Sequence, residues 1–271
     1  MSDIAVPFWN EVDLDALCSG ARLLAFDLDN TLARSKKPMK DDMAERFSAM
    51  TRLMDVAVIT GGKYSLVESQ VVSRLTGDAN LSHLHLMPTS GTRYYRWDGV
   101  RWTQVFARDL CEPDKARIRE SLERNARIQG LWSDNVWGER IEDRGSQITF
   151  SALGQLAPIP AKEAWDPTNE LKQRLADAVA ADLPQFEVRP GGSTSVDVAE
   201  KGIGKSFAVR ELAGIMGIAV ADIIFVGDRM DPDGNDYPAA LAGARAVRVG
   251  NPDDTVKLCD GIIARISKPS R

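Results

Sequence analysis

Residues Phe26-Asp27-Leu28-Asp29-Asn30-Thr31-Leu32 place two carboxylates two positions apart at the end of an apolar run. Such a strand end, followed by a tight turn, can build a metal-dependent phosphoryl-transfer site. One carboxylate attacks phosphorus, a main-chain carbonyl and a side chain hold a hard cation such as Mg2+, and the second carboxylate handles a proton. The same string also fits a plain turn in which an aspartate caps the next segment. Three further pieces favour chemistry. Thr60, followed by Gly61 and Gly62, ends the apolar run 56–59, where a hydroxyl and two amides can hold a phosphate oxygen; a helix N-cap is the other use of that threonine. Lys205, in KGIGKS, stands just before a helical pattern and can neutralise a transferring phosphoryl group. It is not part of a P-loop, because no glycine stands where the first glycine of GxxxxGK[ST] would fall. Phe225-Val226-Gly227-Asp228 ends another apolar run, and Asn235-Asp236 follows a Pro/Gly-rich loop. Asp228 can complete an acidic metal pocket.

The elements that must position these residues read as follows. Arg22 to Asp27 and Val56 to Ile59 are short apolar runs of the kind found in buried parallel strands. Met39 to Met54 and Tyr64 to Leu75 carry helical spacing between and after them. The grammar returns late, with a helix over 205–216, a strand over 223–226, a short helix over 237–242 and a strand over 246–249. Alternating strands and helices predict a doubly wound, Rossmann-like α/β core with its ligand beyond the carboxyl ends of the strands. The middle differs. Residues 94–105 form a hairpin pattern turning at Asp98-Gly99, 112–128 a charged helix, and 140–150 a second hairpin around Arg144-Gly145. A helix over 166–181 and strands over 185–188 and 194–198 complete an α+β insert. The expected division is a catalytic core of residues 1–106 and 200–271, interrupted by an inserted domain over 107–199.

Composition narrows the chemistry. The chain has 271 residues, 44% hydrophobic and 27% charged, with a formal net charge of −5. A mildly acidic chain has no global field to gather nucleic acid or an anionic membrane, so an anionic substrate must be held by local charge. Only two histidines occur, His83 and His85, in LSHLHLMP; their alternation suggests a strand edge, and two alone make a poor metal site. That scarcity leaves catalysis to carboxylates, lysines and hydroxyls. Three scattered cysteines suit free thiols in a reducing compartment. The N-terminus lacks a signal-peptide pattern and no run is long enough to span a bilayer. These features predict a soluble, cytoplasmic protein without nucleic-acid or membrane partners.

The chain resembles the haloacid dehalogenase (HAD) superfamily of phosphotransferases, on Asp27-Leu28-Asp29, Thr60, Lys205, and Gly227-Asp228 with Asp236. The insert resembles the type IIB (C2b) cap of that superfamily. Within the group, Asp27–Leu32, Gly61-Gly62, GGSTSVDV at 191–198 and GDRMDPDGND at 227–236 are most similar to the eukaryotic-type phosphomannomutases. The resemblance implies that Asp27 takes the phosphoryl group as an aspartyl phosphate and that Asp29 is the general acid/base. It implies that Asp27, the main-chain carbonyl of Asp29 and Asp228 bind Mg2+, that Thr60 and Lys205 hold phosphoryl oxygens, and that Asp236 steadies the metal loop or the lysine. In the cap it makes Ser195 and Asp197 sugar-hydroxyl contacts and Arg144 a phosphate-binding arginine, with Lys36 where a core arginine is expected. Glu142 and Asp143 sit beside Arg144 and could simply pair with it. Two cap positions depart from the pattern. Gln155 in SALGQ stands where an arginine is expected, and another arginine position falls near Trp137 unless Arg140 replaces it. A mutase must grip a bisphosphate at both ends, so losing cap arginines favours a Mg2+-dependent phosphohydrolase of a small phosphorylated metabolite, a sugar phosphate by resemblance. A phosphomannomutase-type isomerase is the alternative, and a non-catalytic binding module conflicts with the intact set of acids, hydroxyl and lysine.

Overall fold

A computed structural model describes residues 4–267. In chain order the elements are α1 (Leu14–Cys18), β1 (Leu23–Phe26), α2 (Asp41–Leu53), β2 (Asp55–Ile59), α3 (Tyr64–Gln70), β3 (Leu84–Met87), β4 (Arg93–Trp97) and β5 (Trp102–Ala107). Then come α4 (Glu112–Ile128), β6 (Ile141–Asp143), β7 (Gln147–Ser151), α5 (Ile159–Trp165), α6 (Glu170–Asp182), β8 (Phe186–Pro190) and β9 (Ser195–Glu200). The chain closes with α7 (Lys205–Met216), β10 (Ile223–Gly227), α8 (Tyr237–Leu241), β11 (Arg245–Arg248) and α9 (Pro252–Ile266). They divide into two compact units, one of residues 1–107 with 203–271 and one of residues 108–202.

The first unit is a seven-stranded sheet of order β11-β10-β1-β2-β3-β4-β5. Its strands are parallel from β11 to β3, and β4 and β5 add an antiparallel edge. Alternate residues of β1 serve opposite faces. Leu24 and Phe26 join Met43, Phe47 and Ile262 under α2 and α9, whereas Leu23 and Ala25 join Val209 and Leu212 of α7. With both faces covered, the strand reads as an unbroken apolar run, as parallel strands do. The chain leaves β1 toward β2 and β3 and later returns to β10 on the other side of β1. That reversal opens a crevice at the carboxyl end of β1, the place where doubly wound sheets bind ligands. Phe26 pairs in register with Val58 and Val226, so Asp27, Ile59-Thr60 and Gly227-Asp228 emerge side by side.

The second unit is a four-stranded antiparallel sheet of order β6-β7-β9-β8. Ile148, Phe150, Val196 and Val198 point to one face and pack with Ile118 and Leu122 of α4 and Leu175 and Val179 of α6. Glu112 and Asp114 in the first turn of α4, and Arg127 in its last, complement the helix dipole.

Two sequence expectations change. The histidine segment is no strand edge: β3 lies between β2 and β4, all four of its residues are buried, and His83 sits in a short 3-10 turn before it. Helices and strands cover both sides, so polar alternation there carries no exposure signal. His85 is held instead as a core histidine, with Nδ1 2.8 Å from the Tyr94 hydroxyl and Nε2 3.2 Å from Asp55 Oδ1. The helix expected over 166–181 begins at Glu170, preceded by the separate α5. Asp166 is its cap from a distance, accepting from the amides of Leu171 and Lys172 at 3.2 and 3.0 Å. Among the described residues, no helix is long and apolar enough to cross a membrane.

Burial holds the His85 imidazole below its ordinary value despite the hydrogen bond it can donate to Asp55. The unfolded chain therefore takes up a proton near pH 6.5 that the fold resists, and stability present above that pH is lost as the pH falls through it. The melting temperature should fall more steeply between about pH 7.5 and 5.5 in the wild type than in His85→Gln. Equal slopes would remove His85 from the account.

Candidate active site

Four chain segments meet beyond the carboxyl ends of β1, β2 and β10. Asp27 leaves β1 with its amide donating to the Val226 carbonyl at 2.9 Å, and the residue is only 5% exposed. The Leu28 carbonyl accepts from the amides of Leu32 and Ala33 at 3.0 and 3.1 Å, which closes a tight turn. Asn30 sits at its apex with φ 58°, a conformation that asparagine adopts more readily than most residues. The turn delivers Asp29, half-buried, whose Oδ1 accepts from the Lys36 amide at 3.1 Å. Lys36 is exposed, so its main chain, not its ammonium group, is what meets Asp29.

Thr60 is buried at the end of β2, and its hydroxyl oxygen accepts from the Gly62 amide at 3.1 Å. That bond is the capping use of the threonine, and it leaves the hydroxyl proton available to an anion. Gly61 lies between them, exposed. Lys205 opens α7 and is 2% exposed. Its ammonium group donates to Asp27 Oδ1 at 2.5 Å and to the Ile59 carbonyl, and lies 3.3 Å from Asp236 Oδ1. One cation thus joins β1, β2 and the loop after β10.

That loop folds back on itself. The Arg229 carbonyl accepts from the amides of Asp236 and Tyr237 at 3.1 and 3.2 Å, and the Arg229 amide donates to Asp236 Oδ2 at 3.2 Å. Asp236 comes so close to β10 that a Cβ on Gly227 would stand 2.4 Å from its Oδ2, which explains the glycine there. Asp27, Asp228 and Asp236 each bring a carboxylate oxygen within 4.8 Å of the others. Burial pushes the Asp27 carboxyl up to about 7 against the pull of Lys205, with a further push from Asp236. Burial, and then Asp27, also raise Asp228. For Lys205 burial pulls down, but Asp27 and Asp236 outweigh it and keep the ammonium group charged.

These residues fit a hard divalent cation. Oxygen donors converge, one lysine faces three carboxylates, and Asp236 Oδ1 is buried with no hydrogen bond, only the ion pair to Lys205 at 3.3 Å. The carboxylate cluster includes Asp236, which sequence reasoning gave only a supporting place. The Asp29 carboxylate is not part of this cluster.

The remaining expected residues lie in the second unit, on the face of its sheet opposite the helices. Register sets Glu142, Thr149, Asp197 and Arg189 in one row across all four strands. Asp197 Oδ1 accepts from the Thr149 hydroxyl at 2.7 Å, and burial raises the Asp197 carboxyl against that bond and the nearby Arg144. Gly191 leaves room for this strand, since a Cβ there would lie 2.6 Å from Ser195 Oγ and 2.8 Å from Asp197 Oδ2. Arg144 donates to Glu142 Oε2 at 2.7 Å. Its other neighbour, Asp143, points to the opposite face and pairs with Arg119 and Lys115 of α4. Thr149 was missed by sequence reasoning, although strict alternation in QITFS, matched to SVDV, places it on the same face as Asp197, and Glu142 was named only as a possible partner of Arg144.

Comparison with known proteins agrees with this arrangement. The fold is shared with solved structures of low sequence identity. A truncated IMP-nucleotidase from Plasmodium falciparum superposes with a TM-score of 0.71 at 17% identity, covering 96% of this chain and 78% of that one. A trehalose-6-phosphate phosphatase from Aspergillus fumigatus gives 0.57 at 15% identity, covering 96% and 100%. Residues 43–265 match the model of the eukaryotic phosphomannomutase family, and the chain belongs to that family. A phosphomannomutase from Spinacia oleracea is 24% identical over 250 residues, spanning 89% of this chain and 96% of its own.

If the acidic cluster binds Mg2+, the ion stabilises the fold by mass action, by about 2.7 kcal/mol at a hundredfold excess over its dissociation constant. The melting temperature of the wild type should rise with Mg2+, and the rise should shrink by more than half in Asp228→Asn. An undiminished rise in the variant would place the ion elsewhere.

Proposed function

We propose that the protein is a Mg2+-dependent phosphohydrolase that acts on a small phosphorylated metabolite, a sugar phosphate, through an aspartyl-phosphate intermediate. The observation that carries the reading is the buried Asp27 carboxylate, clamped by Lys205 at the mouth of the β1 crevice, with a second aspartate two residues on. A carboxylate so fixed has one oxygen on the ammonium group and its other oxygen as a nucleophile held in place. A divalent cation on Asp27, Asp228 and the Asp29 carbonyl would offset the charge of the phosphoryl oxygens.

In the first step Asp27 forms a bond to phosphorus while the bond from phosphorus to the sugar oxygen breaks, and Asp29 gives that oxygen its proton. In the second step Asp29 takes a proton from water, the water oxygen attacks phosphorus, and inorganic phosphate leaves with Asp27 restored. Thr60, the Gly61 amide and Lys205 hold the phosphoryl oxygens during both transfers.

The family and the names of the relatives favour a second reading, a phosphomannomutase that returns the phosphoryl group to another sugar hydroxyl. The cation inventory of the second unit supports hydrolysis over it. Arg140, the substitute available near Trp137, donates to the Ser133 carbonyl and lies 4.1 Å over the Trp132 ring. Gln155 offers no charge, and its carbonyl accepts from Lys162 at 2.8 Å.

Asp27→Asn should lower phosphoryl transfer by at least about a thousandfold, because an amide forms no acyl phosphate. Asp29→Asn should lose far more rate with a sugar phosphate than with p-nitrophenyl phosphate, whose leaving group needs no proton. Near-normal turnover in the first variant, or equal losses in the second, would overturn these roles. Incubation with mannose 6-phosphate and mannose 1-phosphate, with and without bisphosphate, separates the two readings: release of phosphate supports hydrolysis and isomer formation the mutase.

A further inference from the structure

Past the end of β3, three successive residues hold a left-handed backbone: Thr89 with φ 49°, Ser90 with φ 56° and Gly91 with φ 83°. Only glycine takes that conformation freely, and for a β-branched threonine it is a genuine outlier. Such strain persists only where surrounding contacts over-determine it. Here the contacts lead to the first unit's candidate site. The Ser90 amide donates to the Thr60 carbonyl at 2.8 Å, and the Thr89 amide to the Gly62 carbonyl at 2.9 Å. The Thr92 hydroxyl closes the loop on itself by donating to the Thr89 carbonyl at 2.7 Å. On the other side, a Cβ on Gly91 would stand 2.5 Å from Ala208 Cβ and 2.8 Å from its Cα, so α7 rests directly on this glycine. Ala208 follows Lys205 by three residues and shares its side of the helix.

In a trans peptide the carbonyl and the N–H point in opposite directions, and every peptide described here is trans. Fixing the Thr60 carbonyl on Ser90 therefore turns the Gly61 amide away from the loop. The phosphohydrolase reading, on which this inference rests, gives that amide to a phosphoryl oxygen. The contact with Gly91 sets where α7 starts, and with it the seat of Lys205, the second group given to those oxygens. We propose that Thr89-Ser90-Gly91 is a positioning brace that fixes the Gly61 amide and Lys205 relative to each other, so that both meet one phosphoryl group. A loop held under strain suits that task. Residues free to relax would let the two donors drift apart, and small misplacements of such groups are costly to a transfer.

The test uses the full chain with Mg2+, p-nitrophenyl phosphate as substrate and inorganic phosphate as competing ligand. Gly91→Ala should raise the inhibition constant of phosphate at least about fivefold and cut kcat/KM at least about tenfold. The rise in melting temperature with Mg2+ should stay as in the wild type, because the carboxylates are untouched. Met50→Ala opens a cavity under α2, on the other face of the sheet, and lowers stability without reaching the brace. It should leave the phosphate constant within about twofold of the wild type. Should Gly91→Ala fail to fold, Ala208→Ser presses on the same glycine with one added oxygen and should weaken phosphate at least about threefold. Phosphate affinity unchanged in the folded variant, or weakened equally in Met50→Ala, would overturn the proposal, as would a Mg2+ response lost in parallel. If the wild type hydrolyses no phosphomonoester, the underlying reading fails, and calorimetric titration with inorganic phosphate decides the brace by the same comparison. A wild type that binds no phosphate refutes both.

Discussion

A buried lysine among buried carboxylates is the constraint on which the rest of the first unit depends. Lys205 reaches Asp27 after β1, the carbonyl of Ile59 at the end of β2, and Asp236 after β10. Removing either partner of such a buried pair typically costs about 3–5 kcal/mol, because the group left behind keeps its charge without water. The arrangement therefore fixes the order of the chain around it: β1 in the middle, β2 and β10 on its flanks, and α7 starting where its first residue points inward. The surplus of carboxylate in the same space would suit a divalent cation and the phosphoryl group that such a cation accompanies.

Precision at this cluster comes from absent side chains and closed turns as much as from charges. Gly227 admits Asp236 to the end of β10, and Gly234 lets the intervening loop close on the Arg229 carbonyl, where a Cβ would meet that oxygen at 2.0 Å. On the other flank the Leu28 turn and the Lys36 amide hold Asp29 in place. The second unit uses a different strategy. Its sheet buries one face against two helices and keeps the other polar, with Arg144 and Arg189 each paired to the acid two residues before it. The first unit thus gathers carboxylates in excess of its one buried lysine, and the second pairs most of its charges within its own sheet.

Much of this was legible in the residues, for physical reasons that also mark where legibility ended. The strands carrying Asp27, Thr60 and Asp228 announce themselves because both faces of a parallel sheet are covered, which forces an apolar run that stops where the acids begin. The same covering hid the setting of His85, whose polar neighbours in sequence gave a false edge. The break between α5 and α6 was hidden too, since Asp166 caps a helix that begins several residues later. The direction of Arg144 was open between a substrate anion and its acidic neighbours. Alternation decides only which acid is within its reach: Glu142 shares its face and Asp143 does not. The place of Asp236 within the acidic cluster depends on how the loop from Asp228 folds, which no local pattern encodes.

The account stands on Asp27 forming a bond to phosphorus. Acyl phosphates are reduced by borohydride, whereas free carboxylates are not. The decisive measurement is therefore peptide mass spectrometry of the wild type quenched with borohydride during turnover of a phosphomonoester in Mg2+. Homoserine at position 27, and its absence when substrate is omitted, is the result expected. An unmodified Asp27 under steady turnover, or reduction at another carboxylate, would contradict the account.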